Sequence, residues 1–322
     1  METITLIGLD VGSVNVKCVV LTGDGRGAGP RETWCRPAQG RPLEVLQEIL
    51  AEAVGRHGDQ ARVAVTGAGK SIVTGGAAVA RVNEVVAVAA AVAASHPQVR
   101  TIIDIGGQFT KWILLDEREL SRRGRVQDFA MNGLCAAGSG AFLEQQAGRL
   151  KLELSELGRL AATAERGATI AGRCSVFAKS DMIHLQQKGT PVAEIAYGLC
   201  LALARTFVAT VLKGRRVEAP VALVGGGAAN AGLVRAFGEV LGLERGEIFV
   251  PEDHLTLGAR GAALGGVDAS PMAVRELLGQ LDGVELKVLD AVPVGGETPV
   301  ELAPLRGALI AEEARPTEDP GV

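Results

Sequence analysis

Apolar residues recur along this chain with two periods, one typical of strands and the other of helices. Residues 3–21 contain two runs rich in β-branched residues around a Gly-Ser-Val-Asn turn, which predicts a β-hairpin. Residues 42–57 carry large aliphatic residues three and four positions apart, which predicts a helix. Further strands are predicted around Trp34 and over 62–66, 100–115, 221–224 and 248–252. Further helices are predicted over 82–94, over a segment that follows residues 132–140 and ends near 152, and over 173–185, 191–212 and 257–264. This mixture of strands and helices indicates the α/β class.

A second copy of the first hairpin motif lies later in the chain. Residues 9–17 (Leu-Asp-Val-Gly-Ser-Val-Asn-Val-Lys) align without a gap on residues 103–111 (Ile-Asp-Ile-Gly-Gly-Gln-Phe-Thr-Lys). Each copy presents an aspartate, a glycine turn and a lysine. Glycine lets backbone N–H groups approach phosphate, and carboxylates hold Mg²⁺ directly or through water. The repeat therefore predicts a nucleotide–Mg²⁺ site in a cleft between two related units.

Composition narrows the function classes. The 322 residues carry 33 lysines and arginines against 37 aspartates and glutamates, a net charge of −4, with only 3% aromatic residues. Such a chain has no excess of basic residues and few aromatic side chains on which bases could stack, so we expect no nucleic-acid partner. The 43 glycines gather in short clusters beside strand-like runs. That arrangement favours backbone loops built around phosphate.

Neither a membrane span nor a secretory signal is expected. The longest uninterrupted apolar run, residues 85–94, is too short to cross a bilayer. The opening Met1-Glu2-Thr3 has no basic residue, so we expect no signal peptide. The five cysteines are odd in number and widely spaced, unlike a secreted disulfide framework. We therefore expect a reduced, cytoplasmic protein.

Six motifs together resemble one family of ATPases. They are residues 8–13 (Gly-Leu-Asp-Val-Gly-Ser), 104–111 (Asp-Ile-Gly-Gly-Gln-Phe-Thr-Lys), 132–140 (Asn-Gly-Leu-Cys-Ala-Ala-Gly-Ser-Gly), 174–178 (Cys-Ser-Val-Phe-Ala), 225–230 (Gly-Gly-Gly-Ala-Ala-Asn) and 250–252 (Val-Pro-Glu). Over residues 3–266 the chain resembles the ATP-dependent activators of 2-hydroxyacyl-CoA dehydratases, which include ATPase subunits of benzoyl-CoA reductase. This family belongs to the superfamily of acetate and sugar kinases, heat-shock chaperones and actin. The paired cysteine motifs are more specific than the glycine turns, which begin many α/β helices.

The resemblance implies two ribonuclease-H-like domains of the actin-like ATPase type around a nucleotide cleft. The first subdomain would span residues 1–100, with a helix at 255–266 returning to it. The second would span 101–254 and carry both cluster cysteines. Residues 267–322 would form a C-terminal extension with a disordered tail.

The resemblance also implies that ATP or ADP binds in the cleft with Mg²⁺. Asp10, Asp104 and Gln108 are the catalytic candidates, and the two aspartates would hold the metal, directly or through water. The expected nucleotide contacts are Gly12, Ser13, Val14, Asn15, Lys17, Gly106, Gly107, Lys111, Gly225, Gly226, Gly227, Asn230 and Pro251. From the residues alone, Lys17 and Lys111 could equally well be solvated along their strands.

The resemblance further implies a homodimer bridged by one 4Fe–4S cluster, with Cys135 and Cys174 of each chain as ligands. The cysteine count agrees, because a cluster commonly takes four thiolates and one chain offers two at predicted helix starts. A helix N-terminus also favours the thiolate form. A heterodimer with a sister subunit would satisfy the same count. By spacing alone, both thiols could be buried small hydrophobes. We expect structural roles for Cys18, Cys35 and Cys200.

The implied function is an ATP-driven electron carrier. Nucleotide exchange and hydrolysis would rotate the two domains, and the rotation would reach helices 135–150 and 174–187. A reduced ferredoxin or flavodoxin would load the cluster. The ATP-bound dimer would then pass a low-potential electron to an iron–sulfur dehydratase or CoA-ester reductase.

Three positions depart from the family pattern. Phe109 and Lys179 stand where acidic residues are usual, and Val14 stands where threonine is common. These changes bear on metal coordination and hydrolysis rate. Two other functions remain open: a sugar or carboxylate kinase of the same superfamily, and a non-catalytic nucleotide-sensing scaffold. Residues 67–71 (Gly-Ala-Gly-Lys-Ser) lack the full spacing of a P-loop, so we reject that interpretation.

Overall fold

Two mixed β-sheets organise the computed structural model, which describes residues 4–23, 32–73, 78–116, 125–133, 138–172 and 174–282. The strands are β1 (Ile4–Val11), β2 (Asn15–Gly23), β3 (Glu32–Pro37), β4 (Gln60–Thr66), β5 (Ala80–Arg81), β6 (Thr101–Ile105), β7 (Thr110–Leu115), β8 (Val126–Met131), β9 (Val221–Val224), β10 (Ile248–Phe249) and β11 (Met272–Ala273). The helices are α1 (Pro42–His57), α2 (Glu84–Ser95), α3 (Gly140–Leu150), α4 (Leu154–Thr163), α5 (Ser175–Gln187), α6 (Val192–Phe207), α7 (Ala231–Leu241), α8 (Leu257–Gly265) and α9 (Val274–Asp282).

The two sheets share one pattern of strands. The first has the order β11-β4-β1-β2-β3, with β5 also paired to β4, and the second has the order β10-β9-β6-β7-β8. In each sheet an antiparallel hairpin, β1–β2 or β6–β7, carries the repeated motif. A later strand then pairs in parallel with the first strand of the hairpin: β4 with β1, and β9 with β6. The two predicted hairpins are confirmed, and the duplication extends to a third strand.

Each sheet has a core of its own on one face. Helices α1 and α9 pack against the first sheet, and helices α3 to α7 pack against the second. On the other faces, α8 covers the first sheet and α2 covers the second. These two helices cross so closely that a Cβ on Gly261 would lie 1.7 Å from the carbonyl oxygen of Ala87. Glycine is therefore required where α8 meets α2.

Strand β8 and helix α4 are among the elements missing from the sequence-based prediction, as is the two-residue strand β5. Strand β8 is at the edge of its sheet, and Phe129 is 49% exposed, so the strand lacks a buried apolar face. Helix α4 buries only a narrow stripe that includes Leu157 and Ala161. Strand β8 therefore gave a weak hydrophobic signal, whereas α4 has leucines at 154, 157 and 160, a helical spacing that the sequence analysis overlooked.

The segment after residue 266 is partly built into the first sheet. Strand β11 pairs with β4, and α9 buries Val274, Leu277 and Leu281 in the same core as α1. Residues 272–282 therefore complete the first core, whereas the sequence suggested an extension from 267 onwards. The predicted disordered tail lies outside the described residues.

One helix in the described part of the chain is long and apolar enough to cross a membrane. It spans Val192–Leu212, which is α6 with a following π-helical turn, and 78% of its most apolar window is buried inside the protein. Residues of the second core surround it on nearly every side. Its packing is that of a core helix.

Candidate functional site

The repeated motifs place two aspartate–lysine ion pairs in equivalent positions. Asp10 in β1 lies opposite Lys17 in β2, and the lysine Nζ is 2.8 Å from Asp10 Oδ2. Asp104 in β6 lies opposite Lys111 in β7, with the corresponding distance 3.0 Å. Direct cross-strand neighbours in a hairpin are close enough for such pairs. Both lysines are ion-paired rather than freely solvated, and their contact with a nucleotide stays a prediction.

These pairs keep the lysines charged although they are largely buried. Burial alone lowers the pKa of Lys17, but the Coulombic attraction and hydrogen bond of Asp10 outweigh it, so the pKa lies above its usual value. Burial likewise lowers the pKa of Lys111, and Asp104 and Glu84 together raise it further. Two permanent positive charges therefore lie at the ends of the two hairpins.

A third carboxylate distinguishes the second pair. Glu84 Oε2 lies 2.9 Å from Lys111 Nζ, so this lysine bridges two acidic side chains. Glu84 is the first residue of α2, and the side chain of Asn83 caps that helix by accepting a hydrogen bond from Val85 N. The sequence analysis missed Glu84. An asparagine cap followed by an acidic residue was the signal that could have located it.

Glycines bring backbone close to each aspartate. Gly67 follows β4 with φ +95°, and a Cβ there would lie 2.6 Å from Asp10 Oδ1. Gly225 follows β9 with φ +81°, and a Cβ there would lie 2.4 Å from Asp104 Oδ1. No other residue fits either place, both for its conformation and for its space. The glycine that we set aside as part of a false P-loop is thus the counterpart of Gly225.

The two hairpin turns face each other. A Cβ on Gly107 would lie 2.4 Å from Val14 Cγ2, so the second turn approaches the first directly. Val14 is 44% exposed, and Ser13 and Gln108 are also exposed at the turn tips. Between the strands and these turns lies a cleft of about 430 Å³.

The cleft collects nearly all the residues expected to contact nucleotide. Its lining includes Asp10, Gly12, Ser13, Val14, Asn15, Lys17, Asp104, Gly106, Gly107, Gln108, Lys111, Gly225, Gly226, Gly227 and Asn230. Pro251 is buried and is not among the lining residues. Further lining residues that the sequence did not indicate are Thr66, Gly67, Glu84, Glu144, Ser155 and His254.

His254 and Asn230 hold the third glycine turn in place. His254 Nδ1 lies 3.0 Å from the carbonyl oxygen of Gly225, whose backbone N–H donates to the carbonyl of His254. Asn230 is the N-cap of α7, and its Oδ1 accepts a hydrogen bond from Leu233 N. The turn therefore presents its glycines to the cleft on a helix N-terminus, a geometry that suits anions.

The cysteines occupy three kinds of environment. Cys174 is the N-cap residue of α5 and is partly exposed, beside Val176 and Phe177, which are 64% and 65% exposed. Cys18 and Cys200 are buried in the two cores, and Cys35 is exposed on β3. Cys135 lies outside the described residues.

The described residues fit the two implied metal groups to different degrees. Within the described ranges, no three His, Cys, Asp or Glu residues are grouped as a metal site. Of the two cysteines expected to bind a cluster, the structure describes Cys174, a partly exposed thiol at a helix start, which is a chemically suitable ligand. Asp10 and Asp104 have the hard oxygens that Mg²⁺ prefers, but each already bonds a lysine.

Known proteins share this sequence and fold over most of the chain. A 2-hydroxyisocaproyl-CoA dehydratase activator from Clostridioides difficile is 33% identical over 84% of this chain and 98% of its own length. A benzoyl-CoA reductase subunit from Thauera aromatica is 30% identical over 80% of this chain and 92% of its own length.

Solved structures agree with these relatives. The activator of the 2-hydroxyisocaproyl-CoA dehydratase from Clostridium difficile, with bound ADPNP, superposes with a TM-score of 0.69 and 31% identity, covering 88% of this chain and 99% of that one. The predicted α/β architecture with two actin-like halves around a cleft is confirmed. The family model of the BadF/BadG/BcrA/BcrD ATPases matches residues 7–266, and the chain belongs to that family.

Proposed function

We propose that this chain hydrolyses ATP in the cleft and, as a homodimer with one bridging 4Fe–4S cluster, passes low-potential electrons to a partner enzyme. The partner would be a 2-hydroxyacyl-CoA dehydratase or a related CoA-ester reductase. The observation that carries the ATPase part is the mirrored pair of Asp–Lys–Gly constellations facing one cleft. The similarity to an activator solved with bound ADPNP supports the choice of nucleotide.

The charged and neutral groups of the cleft would have different roles in binding the phosphates. Lys17 and Lys111 would supply positive charge, and backbone N–H groups at the tips of the two turns would supply neutral donors, since those of Gly12 and Gly106 already donate to Asn15 and Phe109. Asp10 and Asp104 are the residues that would hold Mg²⁺. Because one oxygen of each already accepts from a lysine, we favour contact through water. Gln108 at the tip of the second turn is placed to orient the attacking water.

Cys174, at the start of α5, would be a ligand of the cluster. Its helix N-terminus points a partial positive charge at Cys174, which favours a thiolate and an anionic group there. With Cys135 and the same two residues of a second chain, four thiolates would be available. When bound, the cluster would supply a one-electron carrier that a reduced ferredoxin or flavodoxin could load. The exposed Val176 and Phe177 favour burial of this end of α5 against another protein.

The ATPase part is tested by Asp104→Asn. Replacing the carboxylate removes the charge that holds Lys111 and the metal, so we expect ATP turnover to fall about 10²–10³-fold. Asp128→Asn, the same substitution on the exposed strand β8, is the matched control and should retain activity. The measurement is phosphate release from the purified chain. Full activity in the Asp104→Asn variant would contradict this part of the proposal.

The cluster part is tested by Cys174→Ser. We expect about four iron atoms per dimer in anaerobically purified or reconstituted protein, and loss of that iron in the variant. Cys35→Ser is the control, because Cys35 is exposed on the other sheet. Iron, sulfide and mass are measured on the same sample. A chain that stays iron-free and monomeric after reconstitution would contradict the homodimer.

A further inference from the structure

Helix α3 is fastened at its N-terminal end to the second hairpin turn. The N–H groups of Gly140 and Ala141 donate to the carbonyls of Gly106 and Gly107, each at 2.9 Å. Thr110, just after the turn, donates its hydroxyl to Gly138 O at 2.6 Å. The first N–H groups of a helix have no partner within it, and here the turn supplies their acceptors. A displacement of this turn therefore displaces the start of α3.

The last turn of the same helix is fastened beside Cys174. Arg149 Nη1 donates to the carbonyl oxygen of Ser175 at 3.0 Å and to Gln146 Oε1 at 2.7 Å. Gln146 is fully buried, and its Nε2 has no hydrogen-bond partner within the described ranges. Ser175 follows Cys174, the N-cap of α5. Arg149 thus links the buried amide of α3 to the backbone next to the thiol.

Between these two ends, α3 has the properties of a rigid rod. It has 11 residues, which corresponds to about 16 Å of helix. Phe142, Leu143 and Ala147 are buried in the second core, so the helix body is held along its length. The first hairpin turn has a different set of contacts: Ala38 N donates to Val14 O, and this turn leads into strand β2 rather than to a helix that reaches Cys174.

We propose that Arg149 is a positioning residue that transmits the nucleotide state of the second turn, through α3, to Cys174. This inference rests on the proposed function, because it assumes that the cleft binds ATP and that Cys174 is its target. Phosphate bound at Gly106 and Gly107 shifts the turn, α3 follows as a unit, and Arg149 carries the backbone of Ser175 with it. The contact lies at the surface, so its loss costs little stability and uncouples two sites that each remain intact.

The test measures alkylation of Cys174 by iodoacetamide in the full-length chain freed of iron. Peptide mass spectrometry reports the rate for this thiol separately with saturating ADP and with ADPNP. We expect the two rates to differ about fivefold or more in the unmodified sequence. In Arg149→Gln the rates should become equal, while ADPNP binding stays within twofold. Arg149→Lys retains a charged donor and should retain most of the difference.

Matched variants separate coupling from folding. Arg159→Gln on α4 removes an exposed arginine that pairs with Glu156 of its own helix, and it should retain the full difference. Gln146→Met removes the acceptor that orients Arg149, and it should reduce the difference even if Arg149→Gln folds poorly. A full nucleotide effect in a folded Arg149→Gln variant would overturn the inference, and if that variant does not fold, a full effect in Gln146→Met would overturn it. Equal rates in an unmodified chain that binds both nucleotides would overturn it too, whereas a chain that binds neither would overturn the proposed function itself.

Discussion

The two hairpin units have the same frame but different surroundings. In both, an aspartate at the end of a central strand meets a lysine across the hairpin and a left-handed glycine from the parallel strand. At Asp10 the next neighbour is the start of α8, where a Cβ on Gly258 would lie 2.9 Å from Oδ2. At Lys111 the next neighbour is the start of α2, which contributes the carboxylate of Glu84.

The difference shows how a duplicated unit acquires two roles. The first unit faces a helix start with no side chain, whose partial positive charge stabilises a carboxylate. The second has an additional negative charge, and its turn is bonded to α3. Both units therefore present an aspartate–lysine pair to the cleft, but in the described structure only the second unit is hydrogen-bonded to α3, whose Arg149 bonds the residue after Cys174.

Replacing each lysine by methionine should give the largest difference between the two units in unfolding free energy. Lys111→Met leaves Asp104 and Glu84 close together and largely buried without their shared cation, so we expect a loss of about 3–5 kcal/mol of unfolding free energy. Lys17→Met leaves only Asp10 without its cation, and the start of α8 also stabilises that carboxylate. We therefore expect a smaller loss of unfolding free energy, about 1.5–3 kcal/mol. Urea unfolding at neutral pH measures both. Equal losses would show that Glu84 contributes nothing to the difference.

Replacing the glycine at positive φ in each unit tests whether the two units are equally constrained. Gly225→Ala and Gly67→Ala each force a Cβ against an aspartate oxygen in an unfavourable backbone conformation, so each should cost about 1–3 kcal/mol and weaken ADPNP binding. The measurements are thermal unfolding and calorimetric titration. Gly58→Ala, with nearly the same backbone angles as Gly225 (φ 88°, ψ 173°) but open space around it, is the control for conformation alone. A Gly67→Ala variant that behaves like this control would show that the first unit is less constrained than the second.

The smallest of the three effects is expected from the buried cysteines of the two cores. Burial raises the pKa of Cys200 to about 12 and also raises that of Cys18. In the unfolded chain these thiols ionise near pH 8.5–9, whereas in the folded chain they stay protonated. Each therefore contributes stability that is complete below pH 8.5 and is lost as the pH rises towards the folded-state value.

Alanine at either cysteine should flatten this alkaline loss. Per thiol, the slope amounts to at most about 1.4 kcal/mol per pH unit above pH 9. Urea unfolding of Cys200→Ala and Cys18→Ala at pH 7 and pH 10 gives the change, and the pH 7 value isolates the packing effect. An unchanged slope in either variant would place that thiol in a more solvated site than the structure shows.

Local patterns were sufficient for most of the fold. The hairpins, α1 and α6 have clear hydrophobic periods and α2 is a continuous alanine–valine run, and their predicted positions agree with the structure to within a few residues. Strand β8 was missed because it buries little apolar surface, whereas helix α4 was overlooked although its leucines have helical spacing. The pairing of β11 with β4 could not be inferred, because two residues carry no period and their partners lie far away in sequence.

The candidate site was predictable where it depends on the repeat. Asp10, Asp104 and the glycine turns stand at fixed positions in a motif that occurs twice. Glu84 and Gly67 were not recognised, because each contacts its aspartate–lysine pair only through the packing of a separate element. Pro251 was assigned to the nucleotide by the family motif, but it is buried outside the cleft lining.

By itself, the sequence determined which residue types recur and at what spacing, and this was enough for the class, the duplicated hairpin and the family. Backbone hydrogen bonding and hydrophobic periodicity are local properties, so they can be read along the chain. Only the tertiary structure decided that Lys17 and Lys111 are ion-paired, that α2 supplies a third carboxylate, and that α3 joins a glycine turn to the start of α5. These contacts join residues that are distant in sequence, and their geometry is fixed by the packing of sheets and helices.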